Sequence, residues 1–229
     1  MSAPLLRELP GAARQMAERL GARSLSAGRA QFRQSGTLRN LGSRRWMRFS
    51  ARQWIDFAGC NFDWRARVGP LGLVQVQDSL VEEHPTGAVN VLGIVPLARA
   101  DASAQLLKGE LMRYLAELPW CPDAILSNPA LQWETVDDRR LRVSASLGDA
   151  TGAIVVTHDE EGLPLAIAGQ RPAKEGQTFV EREWHGSFAD WRDFDGRWIP
   201  QSGRVWWIVD GAPFDVWRGR IAQWQAPPG

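Results

Sequence analysis

Glu110, Arg113 and Glu117 fall at i, i+3 and i+7 in the segment ELMRYLAE, so on a helix all three lie along one edge. Two carboxylates flanking a guanidinium can serve two ends. Facing water they form an ion-pair ladder worth about 0.2–0.5 kcal/mol per pair, which is the commoner fate of such a row. Facing the concave side of a sheet they line a pocket. There Glu110 or Glu117 could act as a general base while Arg113 or Arg171 steadies an anion, provided burial raises the carboxylate pKa. Tyr114, the only tyrosine, stands one position round from Arg113, and the stiff exit Pro119-Trp120-Cys121-Pro122 fixes the Trp120 indole. A second polar row, Glu181, Glu183 and His185, shares one strand face. It either lines a polar pocket or, more commonly, points outward.

Other chemistry is poorly represented. There is no GxSxG elbow, Walker loop, Rossmann glycine pattern, HExxH or paired CxxC. His84, His158 and His185 stand apart without metal-ligand spacing, and the acidic, turn-like surroundings of His84 and His158 suggest surface positions. Cys60 and Cys121 match no metal spacing, and free thiols are expected. No metal or cofactor is therefore expected. The tryptophans, twelve against one tyrosine, offer a different use. Trp46, Trp64, Trp120, Trp133 and Trp184 could wall a site for a lipid or aromatic ligand, with Arg113 and Tyr114 anchoring its polar head. About half of these indoles should be plain core instead.

The element that must carry the Glu/Arg row is the one convincing internal helix. Leu107, Leu111, Tyr114, Leu115 and Leu118 recur at helical spacing and predict a helix at about 103–118, with Asp101 or Ser103 as N-cap and Pro119 as stop. A shorter amphipathic helix is predicted over 11–20, with Ala13, Met16, Ala17 and Leu20 on one side and Gly21 at its end. From residue 29 the period changes to two. Phe62, Trp64, Ala66 and Val68 form one face opposite Asp63, Arg65 and Arg67, and Leu141, Val143, Ala145 and Leu147 do the same later. A turn through 82–87 leads into AVNVLGIV, and Asp195-Gly196 is a strong hairpin signal. About ten strands around one long helix imply a mainly β, α+β fold: a large, strongly curved antiparallel sheet or half-barrel with the helix across its concave face. The expected division is an N-terminal helical segment, 1–28, and a single sheet domain, 29–229.

The formal charge of +1 gives no general pull toward nucleic acid, and no nucleic-acid partner is expected. The first 70 residues carry 13 arginines against four acids, and the remainder is correspondingly acidic; the basic part could bind an anion, or, the commoner case where no basic run exceeds Arg44-Arg45, the two parts attract each other within one fold. The N-terminus lacks the uninterrupted apolar core of a secretory signal, and no stretch reaches membrane-spanning length. The expected location is the cytoplasm.

Five segments, RRWMRFSARQ (44–53), FDWRARVG (62–69), ELMRYLAELPWCPDAIL (110–126), LQWETVDD (131–138) and DFDGRWIPQSGRVWW (193–207), resemble in order the landmarks of an uncharacterised bacterial family of unknown function. That family is similar to the curved half-barrels of the lipoprotein-carrier and lipid-binding type, the LolA/LolB-like fold. The resemblance implies a helix over the open face of a wrapped sheet around an apolar cavity. Exported carriers of that type bear a signal that this N-terminus does not show, so the expected ligand is a lipid-like small molecule rather than a lipoprotein. The expected function is non-catalytic binding or carriage of a hydrophobic or amphipathic molecule. The candidate ligand-binding residues are Trp64, Glu110, Arg113, Tyr114, Glu117, Trp120, Trp133, Trp184 and His185. Two other classes compete: a hydrolase or other enzyme using the Glu/Arg cluster, and a structural module that binds a partner through a sheet edge.

Overall fold

The period-two alternation that begins at residue 29 builds a meander of six antiparallel strands in the computed structural model, which describes residues 9–91, 95–99, 103–176 and 178–227. These are β1 (Arg29–Leu38), β2 (Met47–Asp56), β3 (Phe62–Val68), β4 (Val74–Val81), β5 (His84–Val91) and β6 (Val95–Arg99). A short helix, α1 (Gly11–Arg19), precedes them. The chain then crosses through α2 (Ala104–Ala116) and α3 (Asp123–Ser127) and lays down seven more strands: β7 (Gln132–Asp137), β8 (Arg140–Leu147), β9 (Ala150–His158), β10 (Pro164–Glu175), β11 (Thr178–Phe194), β12 (Arg197–Val209) and β13 (Ala212–Gln225). Their order in the single sheet is β6-β5-β4-β3-β2-β1-β13-β12-β11-β10-β9-β8-β7. The first meander runs outward to one edge, α2 carries the chain to the opposite edge, and the second meander runs back until β13 pairs with β1. The sheet does not close: β6 and β7 are its edges among the described residues.

The crossing helix proves the curvature. α2 touches both β4 and β9, which stand eight positions apart in the sheet. On a flat sheet that separation is about 38 Å, at ~4.8 Å per strand, whereas a helix with its side chains is only about 10–12 Å across. The two limbs must therefore wrap round to meet it. α2 packs closely on β9 and β10 because glycines lie beneath it. A Cβ at Gly152 would come within 3.2 Å of the Met112 backbone N, and one at Gly169 within 2.9 Å of Met112 Cε. Ser103 caps the helix, its hydroxyl accepting a hydrogen bond from the Leu106 N–H at 3.2 Å. The alternative cap, Asp101, lies outside the described residues. Pro119 follows in a single 3-10 turn, Leu118–Trp120, as a stop should.

The sheet is finer than the expected ten strands. The turn after β4 needs only Glu82 and Glu83, both at positive φ, so the stretch from His84 to Gly87 is strand rather than turn. The segment AVNVLGIV spans parts of β5 and β6, with residues 92–94 outside the described ones. Asp195 and Gly196, at φ 53° and 79°, make the hairpin turn their types suggest. The inward faces follow the alternation. In β3, Phe62, Trp64, Ala66 and Val68 are buried while Arg65 and Arg67 are exposed.

The main core fills one end of the concavity, where Ile55, Phe57, Phe62, Leu80, Ile199, Ile221 and Trp224 meet α2, Trp120 and the buried face of α1. A second apolar cluster, Phe49, Ala51, Trp64, Ala66 and Val68, lines the β2–β3 limb toward the other end. A buried ion pair holds the first end shut. Arg197 donates to both Asp123 carboxylate oxygens at 2.8–3.0 Å with neither side chain exposed, and Asp123 also accepts the Arg23 backbone N–H at 2.8 Å. His158, expected at the surface, is buried with its Nδ1 2.8 Å from the Asp159 carbonyl oxygen, because β9 ends beneath the 159–163 turn. Cys60 and Cys121 are buried free thiols.

β1, β13 and β12 meet at three glycines in register, Gly36, Gly219 and Gly203. Each is pressed from above or across. A Cβ on Gly36 would lie 2.0 Å from the Arg218 carbonyl oxygen, and one on Gly219 2.2 Å from the Trp217 ring. The Gly36→Ala substitution should therefore open the β1–β13 seam and lower the unfolding free energy by about 1–3 kcal/mol or more in denaturant melts. An unchanged midpoint would show that the seam can relax.

Candidate functional site

The inward alternation of β1–β4 is apolar except along one stripe. Gln53, Trp64 and Asp78 stand directly opposite one another across β2, β3 and β4, and Gln34 of β1 joins them on the diagonal. The stripe lies at the boundary between the two apolar clusters. α2 completes it from above. The Trp64 indole N–H donates to Gln34 Oε1 at 2.9 Å, and Gln34 Nε2 donates to Gln53 Oε1 at 2.7 Å. Gln53 Nε2 then donates to Glu117 Oε2. Arg113 Nε donates to Glu117 Oε1 at 3.0 Å and its Nη1 to Asp78 Oδ2 at 2.7 Å. The guanidinium also lies 5.1 Å and 5.0 Å from the Phe62 and Trp64 ring centroids. Burial works against the Arg113 charge, but Glu117 and then Asp78 outweigh it, so this guanidinium holds its proton more tightly than usual. The Glu/Arg row is thus no solvated ladder: Glu110 and Glu117 are both buried.

Glu110, one turn toward the helix N-terminus, faces β10. Its Oε1 is 3.7 Å from Arg171 Nη2, and its Oε2 has no hydrogen-bond partner. Arg171 donates Nε to the Gly109 carbonyl at 3.0 Å and lies 4.8 Å from the Trp184 ring. Burial, and then the charge of Asp78, push the Glu110 carboxyl up to about 7, against the pull of Arg171 and Arg113. Burial likewise lowers the Arg171 value despite Glu110.

Beneath this layer is a cavity of about 480 Å³. One limb contributes Leu38, Met47, Trp64, Val68, Val74 and Val76, the other Ile167, Trp184, Phe188, Trp207 and Trp217, and the roof is Arg113, Ala116, Glu117 and Trp120. Most of its wall is apolar. A smaller compartment of about 310 Å³ lies alongside, lined by Glu110, Gly109, Leu106, Arg171 and Lys174 among others. Among the described residues no group of three or more His, Cys, Asp or Glu is placed to hold a metal ion.

Five of the residues picked out by sequence, Trp64, Arg113, Glu117, Trp120 and Trp184, line the larger cavity, and Glu110 lines the smaller. Trp46, set against Arg39 and Arg218, lines neither, and nor do three of the nine candidate ligand-binding residues. Tyr114 points the other way, into the core, where its hydroxyl donates to the Asp56 carbonyl at 3.1 Å and accepts from Asn128 Nδ2 at 2.9 Å. Its place one step round the helix from Arg113 puts it on the sheet-packed side. Trp133 sits on the edge strand β7, packed against the main core. His185 alternates outward from Trp184, stacks on Trp206 with centroids 5.2 Å apart, and bonds Glu183 at 2.7 Å. Gln34, Gln53 and Asp78 were missed. Their signal was a polar residue at an inward position of an otherwise apolar alternation. Trp207 and Trp217 were missed as well, although both sit in apolar alternating segments.

Residues 1–219 match the family of unknown function DUF6544, and the chain belongs to that family. No curated protein matches the sequence. Its fold is LolA-like. A LolA superfamily protein from Nitrosomonas europaea superposes with a TM-score of 0.51 at 8% identity, covering 93% of this chain and 92% of the other. A putative outer membrane lipoprotein-sorting protein domain from Vibrio parahaemolyticus gives 0.52 at 9% identity, covering 95% and 92%. No helix among the described residues is long and apolar enough to cross a membrane.

Two outcomes follow from this geometry. Arg113→Met leaves Asp78 and Glu117 without their cation and should cost roughly 3 kcal/mol in chemical denaturation. Arg142→Met, at an exposed pair with Glu134, should cost under about 1 kcal/mol. Equal losses would mean that the Arg113 layer has no special weight. Glu110, ordinarily near 4.5, binds its proton more tightly folded than unfolded. Its ionisation therefore opposes folding, and stability should fall as pH rises from about 4.5 to about 7. Glu110→Gln should flatten that fall and stabilise the protein at pH 8 by a few kcal/mol at most. Parallel stability–pH curves for the two proteins would contradict the assignment.

Proposed function

We propose that the chain binds a hydrophobic or amphipathic small molecule in the cavity beneath α2. One observation carries this reading: a cavity of about 480 Å³ with mostly apolar walls and a fixed polar roof. Its size is within the roughly 300–1,000 Å³ typical of small-molecule sites. Its polar groups are few and already oriented by one another, which suits holding a ligand without rearrangement. The LolA-like fold, shared with a protein described as lipoprotein-sorting, adds support at the level of architecture.

A second reading has one observation in its favour. A carboxyl pushed up to about 7 is tuned for proton transfer near neutrality, which would suit Glu110 to act as a general base. Its immediate neighbour is Arg171 rather than a hydroxyl or thiol nucleophile, so binding is the simpler use of the site.

Protein purified from cells and examined by native mass spectrometry should carry a non-covalent small-molecule adduct that solvent extraction removes. The extracted protein should melt at lower temperature. A long-chain alcohol or acid added to 100 times its Kd should restore about 2.7 kcal/mol. Mass of the bare chain alone, together with no stabilisation by any amphiphile, would defeat the proposal.

A further inference from the structure

The smaller compartment beside α2 leads beyond the reading above and rests on it. It shares Asp78, Val89, Arg171 and Trp207 with the larger cavity, and Arg171 with its neighbour Glu110 stands where the two adjoin. Both side chains are incompletely engaged. Glu110 is 6% exposed, and its 3.7 Å approach to Arg171 is too long for a hydrogen bond. Its second oxygen, Oε2, is buried with no hydrogen-bond partner at all. Arg171 uses only Nε, on the Gly109 carbonyl, and neither Nη makes a hydrogen bond among the described residues. One buried carboxyl oxygen therefore lacks a hydrogen-bond partner, and the guanidinium beside it has Nη groups without an acceptor. Native interiors rarely leave such positions unmatched.

We propose that this junction is the head-group site for a long-chain carboxylic acid, Arg171 donating through its Nη groups to the carboxylate, protonated Glu110 donating its O–H to the same group, and the alkyl chain occupying the larger cavity.

The surrounding charges decide the protonation. Arg113 and Arg171 already face Asp78, Glu117 and Glu110, two cations against three carboxyl groups, and Lys174 lines the outer side of the smaller compartment. A fourth ionised carboxylate would be repelled. The acid can enter only if Glu110 holds a proton. Burial has already moved that carboxyl up to about 7, so the proton is at hand near neutrality. Arg113 does not compete for the head, because Glu117 and Asp78 hold it. The apolar faces of Trp184 and Trp207, 4.8 Å and 5.8 Å from the Arg171 guanidinium, flank the path from head to tail.

The test uses the full chain with dodecanoate, dodecanol and dodecylamine, each titrated calorimetrically and by tryptophan fluorescence between about pH 6 and pH 8.5. At the lower pH dodecanoate should bind at least about tenfold more tightly than dodecanol, as a pair of charge-assisted hydrogen bonds allows. Its affinity should weaken as pH rises, with close to one proton taken up per acid bound above pH 7. In Glu110→Gln the amide donates without titrating, so acid binding should persist and its pH dependence flatten. In Arg171→Gln the acid should bind no better than the alcohol. Unaltered dodecanol binding in both variants shows that they are folded with the cavity intact. The proposal is overturned if the alcohol or amine matches the acid, if the acid preference survives Arg171→Gln, or if Glu110→Gln keeps the wild-type pH dependence. Binding of the alcohol without preference for the acid removes only the head-group site. Failure of all three ligands to bind removes the ligand-binding reading as well.

Discussion

Arg113 fixes the distance between the helix that spans the sheet and one of the sheet's two limbs. A curved apolar face covered by a helix closes by the hydrophobic effect until the interior reaches a packing density of about 0.74. Here α2 cannot settle further. Its charged edge is tied to the β1–β4 limb through Gln53 and Asp78, and each tie has the fixed length of a hydrogen bond. On the other side its backbone rests almost directly on Gly152 and Gly169. One face of the helix is set by contact, the other by polar spacers, and the space left between the limbs is the cavity.

The same constraint accounts for the asymmetry of the concave face. Where the inward alternation is wholly apolar, at the end capped by α1 and α3, side chains fill the space and the buried ions Asp123 and Arg197 pair with each other, Arg197 Nη1 alone being left without a partner. Past the polar stripe no further element among the described residues supplies filling. The Gly36–Gly219–Gly203 row removes three side chains from the floor at that point, and the Trp217 and Trp120 rings lie over the bare backbone in their place. Flat rings on a glycine surface leave a smooth wall. The wide apolar cavity thus follows from three small residues and a few large ones.

Much of this was legible in the sequence. Period-two alternation fixed the inward residues of β3 and β8, helical spacing fixed α2, and Pro119 fixed its end. The half-barrel with a helix across it follows from those elements, because so many antiparallel strands cannot stay flat. What was hidden lies between elements. The charged edge of α2 looked like an ordinary exposed row because its partners, Gln53 at 64 residues' distance from Glu117 and Asp78 at 35 from Arg113, are brought near only by strand register. Tyr114 and Arg113 are neighbours in sequence but 100° apart on the helix, enough to send one into the core and the other into the cavity roof. His185 and Trp184 part in the same way on alternate faces of β11.

A buried ionic layer is a poor way to stabilise a fold, since well-packed apolar residues of similar volume often do as well or better. A roof of leucine and methionine over the same sheet would keep the helix and remove the desolvation cost. It would also sink, having nothing to hold it off the opposite wall. The convex face shows the contrast: there Asp215 is surrounded by Arg204 and Arg218, its carboxylate oxygens both bonded, and nothing is left over. Along the roof both Glu117 oxygens are bonded and Arg113 spans Glu117 and Asp78, whereas Glu110 Oε2, on a residue that lines the second compartment, is buried without a partner. The one carboxyl oxygen of this layer that is buried without a partner thus belongs to a residue beside open space.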